Sequence, residues 1–158
     1  MNKKTIPILL VVLVAAGLGA WWQFGAPQPA TPEDAGNAAQ KADLIVLDSP
    51  RPNQTITSPL TVTGKARGYW FFEASFPVVL VDWDGRIIAQ GIATAKDDPD
   101  ATDGAGWMTE EFVAFEAKLE FAADPNAYSN RGALILQKDN PSGLPQNDDA
   151  LEVPVVIK

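Results

Sequence analysis

Four aspartates, Asp97, Asp98, Asp100 and Asp103, fall close together and are followed by Gly104. Carboxylate oxygens packed this densely could hold a calcium ion. Counted from Asp98, Asp100 takes the third position of an EF-hand loop, Thr102 the fifth and Asp103 the sixth, where that loop needs glycine. The spacing misses by one residue. Asp98, Asp100 and Asp103 stand as a calcium candidate against the plainer reading, a solvated acidic loop.

A second group mixes rings with a carboxylate. Tyr69, Phe71 and Glu73 fall on alternate positions, and Trp83 and Trp107 could lie nearby. Exposed rings beside a carboxylate could stack on a sugar and hydrogen-bond it. The competing reading is that the rings are core, since aromatics supply much of the buried area of a small domain. Glu73 would then be a structural acceptor, or a partner for Lys65 or Arg67. Glu73, Asp82 and Asp84 could also supply a glycosidase carboxylate pair. Asp82 and Asp84, however, flank a tight turn, where aspartate is expected for backbone reasons alone.

Other chemistries are excluded by composition. The chain has no histidine and no cysteine. That removes the usual general base, the Ser-His-Asp triad, thiolate metal sites, disulfides and a lipidated cysteine. No nucleophile, base and oxyanion-donor set emerges, so no enzyme is expected, and no cofactor apart from the calcium candidate. Lys3 and Lys4 precede the first apolar run, leaving 10 of the 12 basic residues and all 20 acidic ones after it, a balance of −10. Such a surface opposes phosphate backbones and anionic lipid, so nucleic acid is not an expected partner.

These residues must be held by something, and the chain shows what. Residues 1–24 read as a signal anchor: Lys3 and Lys4, then an uncharged apolar run from Ile6 to Trp22. Its length lies between a signal-peptide core and a spanning helix. Trp21 and Trp22 suit an interfacial belt, which favours an uncleaved transmembrane helix over a cleaved signal peptide. The basic end stays inside and the remainder is extracytoplasmic; cleavage would make it secreted. Residues 25–42 (GAPQPATPEDAGNAAQKA) carry no large apolar side chain and read as a flexible tether.

From Asp43 the period becomes two. Leu44–Leu47, Leu60–Arg67, Trp70–Phe76, Val78–Trp83, Arg86–Ala93, Phe115–Phe121, Ala133–Gln137 and Leu151–Lys158 read as strands. Phe112 and Val113 precede the sixth. In Trp70–Phe76, alternation assigns Trp70, Phe72 and Phe76 to the core. Asp84-Gly85 predicts a type I′ hairpin between the fourth and fifth strands. Pro154 in the last strand has no N–H to donate, which suits an edge or a bulge. Seven or eight strands over residues 43–158, without a helix, make an all-β, immunoglobulin-like antiparallel sandwich.

The sequence SPLTVTGKARGYWFFEASFPVVLVDWDGRIIAQGIATA over residues 58–95 also resembles a known family. So do Asp48-Ser49-Pro50, Trp107, Phe115-Glu116-Ala117, Gly132 to Leu136 and Val153-Pro154-Val155. Together these motifs resemble the immunoglobulin-like domain of bacterial spore germination. The resemblance implies an extracytoplasmic, non-catalytic module of envelope proteins and carries over no ligand residues. The expected partners are the membrane, through the N-terminal helix, and an envelope protein or cell-wall polysaccharide.

Overall fold

The computed structural model describes residues 36–96 and 106–158. The signal anchor, most of the tether and the calcium candidates Asp98, Asp100 and Asp103 lie outside the described residues. Among the described residues, no helix is long and apolar enough to cross a membrane.

Among the described residues eight strands form: β1 (Ile45–Ser49), β2 (Thr55–Ile56), β3 (Leu60–Arg67), β4 (Ser75–Asp82), β5 (Ile87–Ala95), β6 (Phe112–Leu119), β7 (Arg131–Gln137) and β8 (Ala150–Ile157). Their order is β1-β3-β6-β5-β4-β7-β8-β2. The period-two pattern decides which side is buried. In β3, Leu60, Val62, Gly64 and Ala66 are buried and the residues between them are not. Leu151, Val153, Val155 and Ile157 do the same in β8. These faces meet Trp70, Phe76, Val78, Leu80, Phe115, Leu134 and Leu136 in one core.

Two details differ from a pair of separate antiparallel sheets. The hydrogen-bonded order runs on through β5 and β6, which pair at Thr94↔Glu116 and Ala95↔Phe115. One sheet therefore folds over on itself. In addition, β2 pairs in parallel with the end of β8. Its two residues lie between turn signals and are too short to show a period.

The larger correction lies between β3 and β4. The expected strand Trp70–Phe76 begins only at Ser75; Trp70–Ala74 is not strand. Gly68–Trp70 is a turn of 3-10 helix. Phe72 and Ser75 then bond reciprocally through their backbones, at 3.0 and 3.1 Å, around Glu73 (φ 50°) and Ala74 (φ 60°). Two central residues of positive φ make this a type I′ turn. Alternation cannot persist through it. Phe71 is buried and Phe72 is 42 % exposed, the reverse of the expected assignment.

The tether also ends earlier than Ala42. Gly36, Asn37 and a one-turn helix, α1 (Ala38–Lys41), pack on β8. A side chain at Gly36 would collide with the Glu152 carbonyl. Lys41 pairs with Asp149.

Candidate functional site

Tyr69, Phe71, Glu73 and Trp107 gather where the chain enters β4. Gly68 sits against the Trp107 and Thr109 carbonyls so closely that a Cβ would collide with both. Its N–H donates to the Glu111 carbonyl (3.1 Å). This close approach brings the segment after Gly106 beside Gly68. Phe71 meets Phe76 edge-on at 5.1 Å, and Phe76 meets Phe115 at 5.0 Å. Phe71 is thus a core ring, and Trp107 is partly buried against the same core. Tyr69 remains half exposed.

Glu73 stands at the tip of the type I′ turn and is exposed, with neither hydrogen bond nor ion pair among the described residues. The cations expected for it are engaged elsewhere. Arg67 donates to the Asp43 and Glu110 carbonyls, approaches Glu111 at 3.6 Å and stacks on Phe112 at 4.1 Å. Lys65 lies 5.2 Å from the same ring.

Trp83 lies at the other end of β4, which spans eight residues and so roughly 23 Å at about 3.3 Å per residue. The ring face drawn through Tyr69, Phe71, Glu73, Trp83 and Trp107 is therefore two separate sites. Here Asp82 organises a three-residue loop. Its Oδ1 accepts the N–H groups of Asp84 (3.0 Å) and Arg86 (2.9 Å). Its Oδ2 accepts Nε (3.1 Å) and Nη2 (3.0 Å) of Arg86. The Arg86 backbone N–H, then the guanidinium and the Asp84 N–H, outweigh desolvation and hold the Asp82 carboxyl below its usual range. Gly85 alone in this loop has a positive φ, 76°, and its N–H donates to the Asp82 carbonyl. That is a turn closed by one left-handed glycine, not the expected type I′ pair.

This geometry separates Glu73 from Asp82. A glycosidase needs carboxyl groups about 5–9.5 Å apart, whereas the length of β4 separates Glu73 from Asp82. Both Asp82 oxygens are committed to the loop. Among the described residues, no group of three or more acidic side chains is placed to hold a metal.

The same end carries a ring that sequence reading passed over. Tyr128, 90 % exposed, lies 5.4 Å from Trp83 with the ring planes at 49°. It sits in an aperiodic turn region, so only the fold brings it to Trp83. A recess of about 70 Å³ adjoins the two loops, lined by Arg86, Ile88, Ala123, Ala127, Asn130 and Ile157 among others.

The strand edges bear on how the domain could bind. Beyond β7, β2 covers only the end of β8, and the rest of the outer side of β8 is closed. The Asn37 N–H donates to the Glu152 carbonyl, Asn37 Nδ2 to the Ala150 carbonyl, and the Glu152 N–H to Asn37 Oδ1. The Asn53 N–H donates to the Pro154 carbonyl, and the Val156 N–H to the Gln54 carbonyl. Pro154 has no N–H to leave unpaired, as an edge position requires. At the opposite edge, β1 is five residues long and bulged at Asp48. Both edges are blunted against strand addition.

No curated protein and no solved structure matches the chain. A family model does, over residues 44–143, which include β1 to β7. Its description agrees with the layered all-β fold built here, and the chain belongs to the family of the immunoglobulin-like domain of bacterial spore germination.

Proposed function

We propose that this protein is a non-catalytic, extracytoplasmic recognition module, tethered by its N-terminal segment and contacting envelope proteins or cell wall through its loop ends. One observation carries the proposal. Exposed rings gather at loops, Tyr69 and Phe72 before β4 and Trp83 and Tyr128 beyond it, while both sheet edges are blunted. Large exposed rings at loops mark recognition surfaces on scaffolds of this kind. Family membership supports the module class. The basic start, apolar run and Trp21-Trp22 belt support the tether. The acidic balance of the remainder supports partners other than nucleic acid.

The test is retention of the full chain, in detergent micelles, on immobilised envelope protein extract and separately on purified cell wall. Retention on either that falls when Tyr69 or Tyr128 is replaced by alanine is the expected result. Absence of retention on both, or retention indifferent to both replacements, overturns the proposal.

A further inference from the structure

Trp83 and Tyr128 form a ring pair that core packing does not explain. Tyr128 is 90 % exposed and Trp83 45 % exposed, yet their centroids lie 5.4 Å apart. Trp83 follows Asp82, and Tyr128 lies between Ala127 and Ser129; all three of these neighbours line one recess. The recess, about 70 Å³, is several times the ~10–15 Å³ that a single water needs on the same measure. That is room for a small group such as an amide with its methyl. Ile88, Ala127 and Ile157 give it apolar surface, and Arg86, Asn130, Ser129 and the carboxylates of Asp82 and Asp124 give it polar atoms. Arg86 is preset: Nε and Nη2 are tied to Asp82, the side chain is 71 % exposed, and no hydrogen bond engages Nη1 among the described residues.

We propose that this recess takes the acetamido group of a neutral N-acetyl amino sugar, with the pyranose ring laid against Trp83 and Tyr128. The acetamido methyl matches the alanine and isoleucine surface. Its carbonyl accepts from Arg86 Nη1, and its N–H meets the Asn130 side chain. A plain hexose has no methyl to cover the alanine and isoleucine surface. An anionic ligand would meet a domain that carries 9 basic and 18 acidic residues from Asp43 on, a balance of −9. The proposal rests on the reading of the domain as a recognition module and gives that module a ligand class.

The test is calorimetric titration of the full chain in detergent with tri-N-acetylchitotriose, with maltotriose as the trimer lacking acetamido groups and acetyl-alanyl-alanine amide as a peptide probe. The expected result is chitotriose binding at least tenfold tighter than either other probe. Tyr128→Ala and Trp83→Ala each weaken it at least tenfold, and Ile92→Ala, at an exposed position of β5 away from the recess, leaves it unchanged. Tyr128 is too exposed for its loss to unfold the protein, and an unchanged thermal midpoint verifies this. Absence of chitotriose binding at millimolar concentration, equal binding of maltotriose, tighter binding of the peptide, or indifference to Tyr128→Ala overturns the proposal. If chitotriose fails while Tyr69-dependent retention on envelope protein persists, the recognition module stands and only the sugar site falls. If both fail, both readings fall.

Discussion

Asn37 and Glu152, 115 residues apart, bond as neighbouring strands do. The Asn37 N–H donates to the Glu152 carbonyl at 3.3 Å, and the Glu152 N–H donates to Asn37 Oδ1 at 2.8 Å. One side chain thus imitates the backbone of an absent strand. With Nδ2 on the Ala150 carbonyl (2.9 Å), it closes the start of an edge that would otherwise invite another chain.

Asn37→Ala removes two side-chain hydrogen bonds and uncovers the Glu152 N–H. The expected loss is about 1–3 kcal/mol, from net hydrogen-bond values near 1 kcal/mol each. Urea unfolding should show a lower midpoint at unchanged slope. Removing residues 1–42 should cost more, because the Lys41–Asp149 pair goes too. An unchanged midpoint in both variants would show that this cap is ornamental.

Glu73 and Ala74 occupy left-handed backbone without the residues that favour it. Each costs about 1–2 kcal/mol there relative to a permissive residue. The double replacement Glu73→Asn, Ala74→Gly supplies the preferred type I′ pair. It should raise stability by about 1–3 kcal/mol, less any entropy gained by the unfolded chain at the new glycine. A lowered thermal midpoint would mean that Glu73 makes a stabilising contact.

That turn also marks where the sequence ceases to be legible. Strands β3, β6 and β8 declare themselves because one face is wet and the other buried, and their alternation follows. Phe72-Glu73-Ala74-Ser75 carries no glycine or asparagine, so its local chemistry reads as strand while tertiary packing of Trp70, Phe71 and Phe76 imposes a turn. Asp84-Gly85 shows the converse: the pair marks a hairpin correctly, but Asp82 bonding to the Asp84 and Arg86 amides selects a longer loop. The candidate site was half visible. Trp83 stands out by type, whereas Tyr128, the recess and the split of the ring face into two ends arise from contacts distant in sequence.

Gly68→Ala should destabilise the fold by more than about 2 kcal/mol, at the upper end of overpacking costs. The added methyl meets two backbone carbonyls, of Trp107 and Thr109, and neither is a flexible side-chain tip. Gly85→Ala meets nothing within 4 Å and has only its φ of 76° to resist it, about 1–2 kcal/mol. Denaturant midpoints should rank Gly68→Ala below Gly85→Ala. The reverse order would mean that the Trp107–Thr109 segment yields without cost.

Asp82 gives the acid side of stability its sign. Its carboxyl titrates below the usual range because the folded loop donates to it, chiefly through the Arg86 N–H. A group depressed in the folded state contributes stability that is fully present above its unfolded value, near 3.9 for aspartate. That contribution fades as pH falls through the lower folded value. Glu116, depressed by its hydrogen bond from Lys96 Nζ, contributes with the same sign. The thermal midpoint should therefore be flat from about pH 7 to 5 and fall below about pH 4, where these carboxylates begin to protonate. Asp82→Asn should lower the midpoint at pH 7 and flatten the fall, since an amide does not titrate and cannot hold the Arg86 fork as a carboxylate does. A variant whose acid-side slope equals the wild type's would place the titrating groups elsewhere. A midpoint unchanged at pH 7 would show that Asp82 orders the loop without stabilising the fold.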